Sequence, residues 1–179
     1  MRRSERLLAA LLFVALGAVV GAQQVRVTPL ALAERVLVSF EVPDAFTDEM
    51  RASIESGLST TFTYDVDLRR GTTLWVDRLI SSARVSAIVQ FDNLTRLYQV
   101  TVTHDGRVEQ TSVTPDENEV RALATAFHRL PLFGTRGLEP NAEYYVRVRA
   151  STSPKSHWSL VPWERASLLG SARFTFIPR

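Results

Sequence analysis

Cysteine is absent from this sequence of 179 residues, and Lys155 is its single lysine beside 20 arginines. Without cysteine the chain has no disulfide bond, no cysteine-ligated zinc, no thiol nucleophile and no lipid-modified cysteine. The sequence also has no internal repeat, no low-complexity tract and no linker long enough to divide it. A chain of this length fits one domain and can bury a core without covalent cross-links. We therefore expect a single domain that hydrophobic packing stabilises.

Sequence motifs that carry catalysis or phosphate binding are missing as well. There is no Gly-x-Ser-x-Gly elbow, no Ser-x-x-Lys pair, no phosphate-binding loop and no dinucleotide-binding fingerprint. The histidines His104, His128 and His157 are scattered and lack the i, i+4 spacing of a helical metal site. We therefore predict no metal ion, no cofactor and no catalytic residue, and hence a protein that is not an enzyme.

The first 22 residues differ in kind from the rest of the chain. Three arginines precede Leu7, an uncharged apolar run extends from Leu7 to Val20, and small residues continue to Ala22. This order is typical of a secretory signal, and the apolar run is shorter than the roughly 20 residues that span a bilayer. We predict a signal peptide over residues 1–22, a single β-rich domain over residues 23–179 and a periplasmic location. The alternative is an uncleaved segment that anchors the protein in the inner membrane, facing the periplasm, as its only membrane contact.

The charge balance of the chain depends on this segment. The whole sequence has a formal net charge of +2. Residues 1–22 include three arginines and one glutamate, so the remainder carries 18 basic and 18 acidic side chains. No dense basic patch interleaved with aromatic residues occurs, and we therefore predict that the protein does not bind nucleic acid.

Alternating apolar and polar residues predict several β-strands. The pattern occurs over residues 35–42, 60–69, 96–103 and 143–150. Residues 107–113 form the returning strand of a hairpin, and residues 25–29 suit a short edge strand. Asp92-Asn93 supports a hairpin turn, and Asp105-Gly106 predicts another, because both positions of that pair tolerate a positive φ. Successive strands joined by short turns favour an antiparallel sheet.

Two segments have the pattern of helices. Thr47 is suited to cap a helix over residues 48–56, whose apolar side carries Phe46, Met50, Ile54 and Leu58. Thr114 is suited to cap a second helix, which continues to Leu130-Pro131. We predict that residues 167–170 form the end of a short helix. The pattern predicts an α+β fold that is mainly antiparallel β. We expect one curved sheet or a two-sheet sandwich, with two helices packed on it.

Two of the strands carry a family resemblance. The segments Leu-Thr-Arg-Leu-Tyr-Gln-Val at 94–100 and Tyr-Tyr-Val-Arg-Val-Arg at 144–149 resemble the bacterial envelope family called domain of unknown function 4390 (DUF4390). The resemblance covers Val25 to about Ile177. That family has no assigned activity, and so it implies no catalytic residue. Its genes sometimes neighbour a membrane sensor kinase, which implies a role in signalling or envelope homeostasis, with a sensor kinase or another envelope protein as partner.

A shorter resemblance concerns one turn and one strand. Leu138, Pro140 and Tyr144 are similar to the segment that holds the tyrosine corner of fibronectin type III sandwiches. This resemblance covers a single strand, and the helix that begins near Asp116 departs from the sandwich pattern.

Two surfaces are candidates for contact with a partner or ligand. Tyr145, Arg147 and Arg149 share the polar face of one strand and suit an acidic partner, although a solvated face has the same pattern. Trp158 and Trp163 lie in a proline-containing loop that would either cover a groove or fold over the core. Tryptophan favours interfaces where one end of its side chain is in apolar surroundings and the other contacts water.

Asp65 and Asp67 share one face of the strand over residues 60–69. Paired carboxylates can bind a cation or transfer protons, but they also suit a polar strand face on which Arg69 and an arginine of a neighbouring strand are their cross-strand partners.

We expect an exported, non-enzymatic protein that binds a partner or modulates an envelope process. The alternative is a carrier for an apolar small molecule held between a curved sheet and its helices. A third hypothesis is an enzyme that uses Asp65, Asp67 or His104.

Overall fold

The computed structural model describes residues 25–32, 34–71, 77–154 and 168–178. Within these ranges the chain forms nine β-strands and two α-helices, with one 3-10 turn at Pro43–Ala45. The strands are β1 (Arg26–Leu32), β2 (Arg35–Glu41), β3 (Thr60–Arg70), β4 (Arg78–Asp92), β5 (Leu97–His104), β6 (Arg107–Thr114), β7 (Ala126–Gly134), β8 (Glu143–Pro154) and β9 (Leu168–Thr175). The helices are α1 (Asp48–Glu55) and α2 (Glu117–Thr125).

The strands form two antiparallel sheets. The small sheet has the order β1-β2-β7, and the large sheet has the order β6-β5-β4-β3-β8-β9. Each pair of neighbouring strands is antiparallel. The predicted α+β fold, mainly antiparallel with two helices, is confirmed, and of its two predicted forms the chain adopts the one with two sheets.

Aromatic side chains from both sheets meet in the core. The ring centroid of Phe40 on β2 lies 5.2 Å from that of Tyr64 on β3 and 4.8 Å from that of Phe127 on β7. Tyr64 is 1% exposed, and its hydroxyl donates a hydrogen bond of 2.6 Å to the carbonyl oxygen of Ala124. Burying a large apolar side chain stabilises the fold by roughly 1.5–3 kcal/mol. These contacts therefore hold the small sheet and α2 against the large sheet.

The strand alternation predicted from the sequence is confirmed on β2 and β3. The apolar residues on one face of each strand are buried, as a period of two requires. They are Val36, Val38 and Phe40 on β2, and Phe62, Tyr64, Val66 and Leu68 on β3.

The first helix begins where the sequence predicts. The Oγ1 atom of Thr47 accepts a hydrogen bond from the backbone N–H of Met50, and Ile54 is fully buried. The prediction was wrong for Leu58, which is 42% exposed. Gly57, with φ of +88°, turns the chain out of the helix, and the next residue no longer continues the apolar face.

The N-terminus of the second helix was predicted two residues too early. Asp116, not Thr114, is the N-cap, and its Oδ1 accepts from the N–H of Asn118 at 2.8 Å. Thr114 stays in β6, opposite Tyr98. Its hydroxyl accepts from the N–H of Asp116 and donates to Glu119 at 2.6 Å. Pairing with β5 thus holds Thr114 in a strand.

The C-terminus of α2 was predicted five residues too late, because the helical apolar pattern continues into a strand. The helix ends at Thr125 and β7 begins at the next residue. The N–H of Val42 donates to the carbonyl oxygen of Thr125 at 2.9 Å, and Phe127 pairs with Phe40 of β2. Tertiary hydrogen bonds thus replace the next helical turn, and His128, predicted at a helix end, is exposed on β7.

The turn before β8 has the local geometry of a tyrosine corner. The hydroxyl oxygen of Tyr144 accepts a hydrogen bond of 2.8 Å from the backbone N–H of Glu139. Arg70 of β3 donates two hydrogen bonds, of 2.5 and 2.6 Å, to the carboxylate of Glu139. These bonds lower the pKa of Glu139. The turn is therefore fastened to both β8 and β3.

The predicted short helix over residues 167–170 was wrong, because Leu168–Thr175 forms β9 and pairs with β8. Gly170 of this strand is buried where the start of the small sheet contacts the large sheet. A Cβ atom added at Gly170 would lie 2.5 Å from both the Cβ atom and the carbonyl oxygen of Val25. The close approach of two backbones explains why glycine occupies this position.

We predict that Gly170→Ala lowers the free energy of unfolding by about 1–3 kcal/mol, because the new methyl group forces the backbone of Val25 to move. Gly71→Ala is the matched control, since a Cβ atom there meets nothing within 4 Å. Urea unfolding followed by circular dichroism measures both. Equal stabilities of the two variants would contradict the close packing of β1 on β9.

Candidate functional site

The charged residues of β3 lie on the face of the large sheet that points away from the core, which we call the outer face. Asp65 is paired with Arg84 of β4 on one side and with Arg149 of β8 on the other. Asp67 lies between Ser82 of β4 and Arg147 of β8 in the same way. Side chains of directly opposed residues point to the same face, so this register places Asp65 between two arginines and Asp67 beside one.

Asp67 is the most buried carboxylate of this arrangement, with the whole residue 6% exposed. The Nη2 atom of Arg147 donates to Oδ2 of Asp67 at 2.7 Å. Arg149 places its Nη2 atom 3.6 Å from the same oxygen, beyond hydrogen-bond distance. A carboxylate removed from water needs a partner of opposite charge, and Arg147 fills that role closely. Arg149 is held less tightly, and its side chain remains 46% exposed.

Arg84 connects Asp65 to the hairpin between β5 and β6. The Nε atom of Arg84 donates to Oδ1 of Asp65 at 2.9 Å. The backbone N–H of Arg84 donates to Oδ1 of Asp105 at 2.7 Å, and the N–H of Asp105 donates to the carbonyl oxygen of Arg84 at 2.8 Å. Asp105 and Gly106 have φ values of +48° and +82°, as the predicted hairpin turn requires. The turn therefore fixes one end of the site.

These residues line a groove of about 870 Å³ on the outer face, which we call the charged groove. Its charged lining residues are Asp65, Asp67, Arg69, Arg84, Asp105, Arg147 and Arg149. Four arginines thus face three aspartates, and the groove carries an excess of one positive charge.

Arg69 is a second arginine that is weakly held. Its Nη2 atom donates to the carbonyl oxygen of Asp77 at 3.4 Å, and its buried Nε has no hydrogen-bond partner in the described part of the chain. Across residues 25–32, 34–71, 77–154 and 168–178, it forms no ion pair with a carboxylate. Arg69 and Arg149 are therefore the guanidinium groups that are most available to a ligand.

The candidate contact residues predicted from the sequence have different outcomes. Arg147 and Arg149 line the charged groove, and Tyr145 lies on the same face opposite Arg69. Burial raises the pKa of the Tyr145 hydroxyl, and its hydrogen bond with Asp77 adds to that rise. Trp158 and Trp163 fall outside the described residues, as does the predicted signal peptide over residues 1–22.

The reading of Asp65 and Asp67 as a polar face with arginine partners on neighbouring strands is confirmed, except that Asp67 is buried. Asp105 and Arg84 were missed. They are 21 residues apart and become neighbours through the fold of the β5–β6 hairpin, and no sequence pattern relates them. Arg69 was expected to pair with the aspartates, and the β3–β4 register shift after Leu68 instead sets it opposite Leu79 and Tyr145.

The two described histidines that could take part in catalysis or metal binding do not lie together. His104 lies beside Asp105, with its Nε2 atom 3.4 Å from Oδ2, and His128 lies on β7 in the other sheet. The described ranges hold no group of three histidine, aspartate or glutamate side chains that would bind a metal ion. No helix in the same ranges is long and apolar enough to cross a membrane.

Large side chains are packed between the sheets in the described part of the chain. Tyr64, Phe62, Ile54 and Tyr144 are among the largest fully buried residues, and Phe46 stacks on Phe62 with ring centroids 5.9 Å apart. The charged groove lies instead on the polar outer face.

The fold and the groove define an antiparallel two-sheet domain with an ionic outer face. The family model described as domain of unknown function (DUF4390) matches residues 21–157, and the chain therefore belongs to this family, as the resemblance indicated. No curated protein and no solved structure matches the chain at a significant level.

We predict that Asp67→Asn lowers the free energy of unfolding by about 2 kcal/mol or more, because it leaves the partly buried Arg147 without a counter-charge. Asp65→Asn is the matched control on the same strand face. We expect it to cost less than about 1 kcal/mol, because the Asp65 and Arg84 side chains are 37% and 65% exposed. Urea unfolding measures both variants, and a larger loss for Asp65→Asn would contradict this assignment.

Proposed function

We propose that the protein is an exported, non-enzymatic domain that binds an acidic partner through the charged groove. The observation that carries the proposal is the excess of guanidinium groups over carboxylates in the groove, together with the loose hold on Arg69 and Arg149. The partner class follows from the chemistry of arginine, whose planar fork binds carboxylates through paired hydrogen bonds.

The arrangement of Arg147 and Arg149 supports different roles for the two arginines. Both approach Asp67, but Arg147 lies 0.9 Å closer. A carboxylate of a partner can therefore pair with Arg149 while Asp67 keeps Arg147. The buried aspartate is never left without a counter-charge during such an exchange, which keeps the energetic penalty of binding small.

The location of the protein is proposed from the N-terminal sequence. A basic start, an apolar run and small residues up to Ala22 support export to the periplasm, with an uncleaved inner-membrane anchor as the alternative. The family resemblance supports a partner in the envelope. A membrane sensor kinase or another envelope protein with an acidic periplasmic surface fits both considerations.

We predict that the double variant Arg69→Gln/Arg149→Gln loses at least about 80% of partner capture, because each neutral side chain removes one charge-assisted contact. The bait is the full chain with a C-terminal tag, and capture is quantified from the envelope of cells that produce it. Arg26→Gln on the small sheet is the control and should capture as the wild type does, since its side chain is 75% exposed and does not line the groove. Capture should also decline as salt screens the charges.

Three outcomes of this experiment contradict the proposal. Undiminished capture by the double variant would place the partner elsewhere on the surface. Recovery of bait from the cytoplasm, with residues 1–22 retained in its intact mass, would contradict export. A turnover activity of the purified protein that Asp65→Asn abolishes would show that the groove is an active site.

A further inference from the structure

In the described part of the chain the two sheets have four edge strands, and three of them are blocked. Edge strands expose unpaired backbone groups, and proteins protect them with proline, bulges or covering elements. Within the described ranges, β1 contains Pro29 and contacts β9, whose Gly170 lies against Val25. The edge of β7 contains Pro131 and a register shift at Arg129, which has φ of +51°.

The fourth edge, β6, lacks most of these protections. The segment from Gln110 to Thr114 has no charge and no proline. Apart from its ladder with β5, no backbone–backbone hydrogen bond involves β6 in the described part of the chain. Val108 and Val113 are 64% and 61% exposed, although valine favours the paired interior of a sheet.

The single bulge of β6 determines where these valines point. Val113 is opposite Gln99 and Val108 is opposite Thr103, which share one face of β5, because Glu109 is the extra residue between them. The bulge therefore brings both exposed valines to the outer face of the large sheet. Without it, residues five positions apart would point to opposite faces.

We propose that β6 pairs antiparallel with β6 of a second copy of this chain, with Thr111 on the two-fold axis. In this register Gln110 of one copy is opposite Ser112 of the other. The bulge brings Val108 to Val113 of the second copy, so that the four exposed valines form two apolar pairs. The interface is self-complementary, as a two-fold dimer requires.

The charges of β6 are compatible with self-pairing. Arg107 and Glu109 give the strand no net charge, and the like charges of the two copies lie on opposite sides of the axis. If β6 paired with a strand of a different protein, the sequence of β6 would not need to be complementary to itself. The dimer joins two large sheets edge to edge and leaves both charged grooves open, and so it does not depend on the proposed partner binding.

The absence of cysteine allows a direct test by cross-linking. At the two-fold axis the two Cα atoms of residue 111 would be about 4.5–5.5 Å apart, which suits a disulfide bond. We predict that Thr111→Cys forms a covalent dimer under mild oxidation. Leu94→Cys is the control, because Leu94 is 94% exposed in the turn between β4 and β5 and is not paired with β6. It should remain monomeric under the same conditions.

Sedimentation velocity of the uncross-linked protein gives an independent readout. Val113→Lys should raise the dimer dissociation constant by about tenfold, because it removes two valine pairs and introduces two charges. Leu94→Lys should leave the constant unchanged. Circular dichroism verifies the fold of each variant. A wild-type protein that stays monomeric to millimolar concentration, an unchanged constant in Val113→Lys, or a failure of Thr111→Cys to cross-link would each overturn the proposal.

Discussion

The pairing of Asp67 with Arg147 is the interaction on which the outer face of the large sheet depends. A carboxylate in the centre of a six-stranded sheet is shielded by its neighbours, and its charge must be balanced there. The register of β3 and β8 meets that need by placing Arg147 directly opposite. The same register then places Arg149 opposite Asp65, which already has Arg84 as a partner. The register that neutralises Asp67 with Arg147 therefore also leaves Arg149 beside it as an additional positive charge.

The two faces of β3 connect this site to the rest of the fold. One face carries Phe62, Tyr64, Val66 and Leu68, which are all buried in the core. The other carries Asp65 and Asp67, so that any slip by one residue would move carboxylates into the core and aromatic rings into water. The Tyr64 hydroxyl also holds the end of α2. The core therefore fixes the register, and the register fixes the geometry of the charged groove.

The sequence was sufficient for the features that depend on local periodicity and turn chemistry. The alternation on β2, β3 and β8, the Thr47 cap and the Asp105-Gly106 turn could all be predicted, because each signal lies within a few residues. The end of α2 could not, since Phe127 fits the apolar face of a helix as well as that of a strand. Only the pairing of Phe127 with Phe40 on β2 decides between them.

The candidate site could likewise be predicted from the sequence only in part. The arginines of β8 and the aspartates of β3 could be predicted to face outward, and an arginine on a neighbouring strand could be expected to pair with them. Which arginine approaches which aspartate depends on strand order and register, which the sequence does not encode locally. The contact of Arg84 with Asp105 arises because β4, β5 and β6 fold back on one another.

The central claim is that Arg147 balances the buried charge of Asp67 whereas Arg149 is available to a partner. A direct test compares the unfolding free energies of Arg147→Gln and Arg149→Gln in urea. We expect a loss of about 2 kcal/mol or more for Arg147→Gln, which leaves Asp67 with one distant cation. The loss for Arg149→Gln should stay below about 1 kcal/mol, as for other exposed ion pairs. Equal losses, or a larger loss for Arg149→Gln, would contradict the claim.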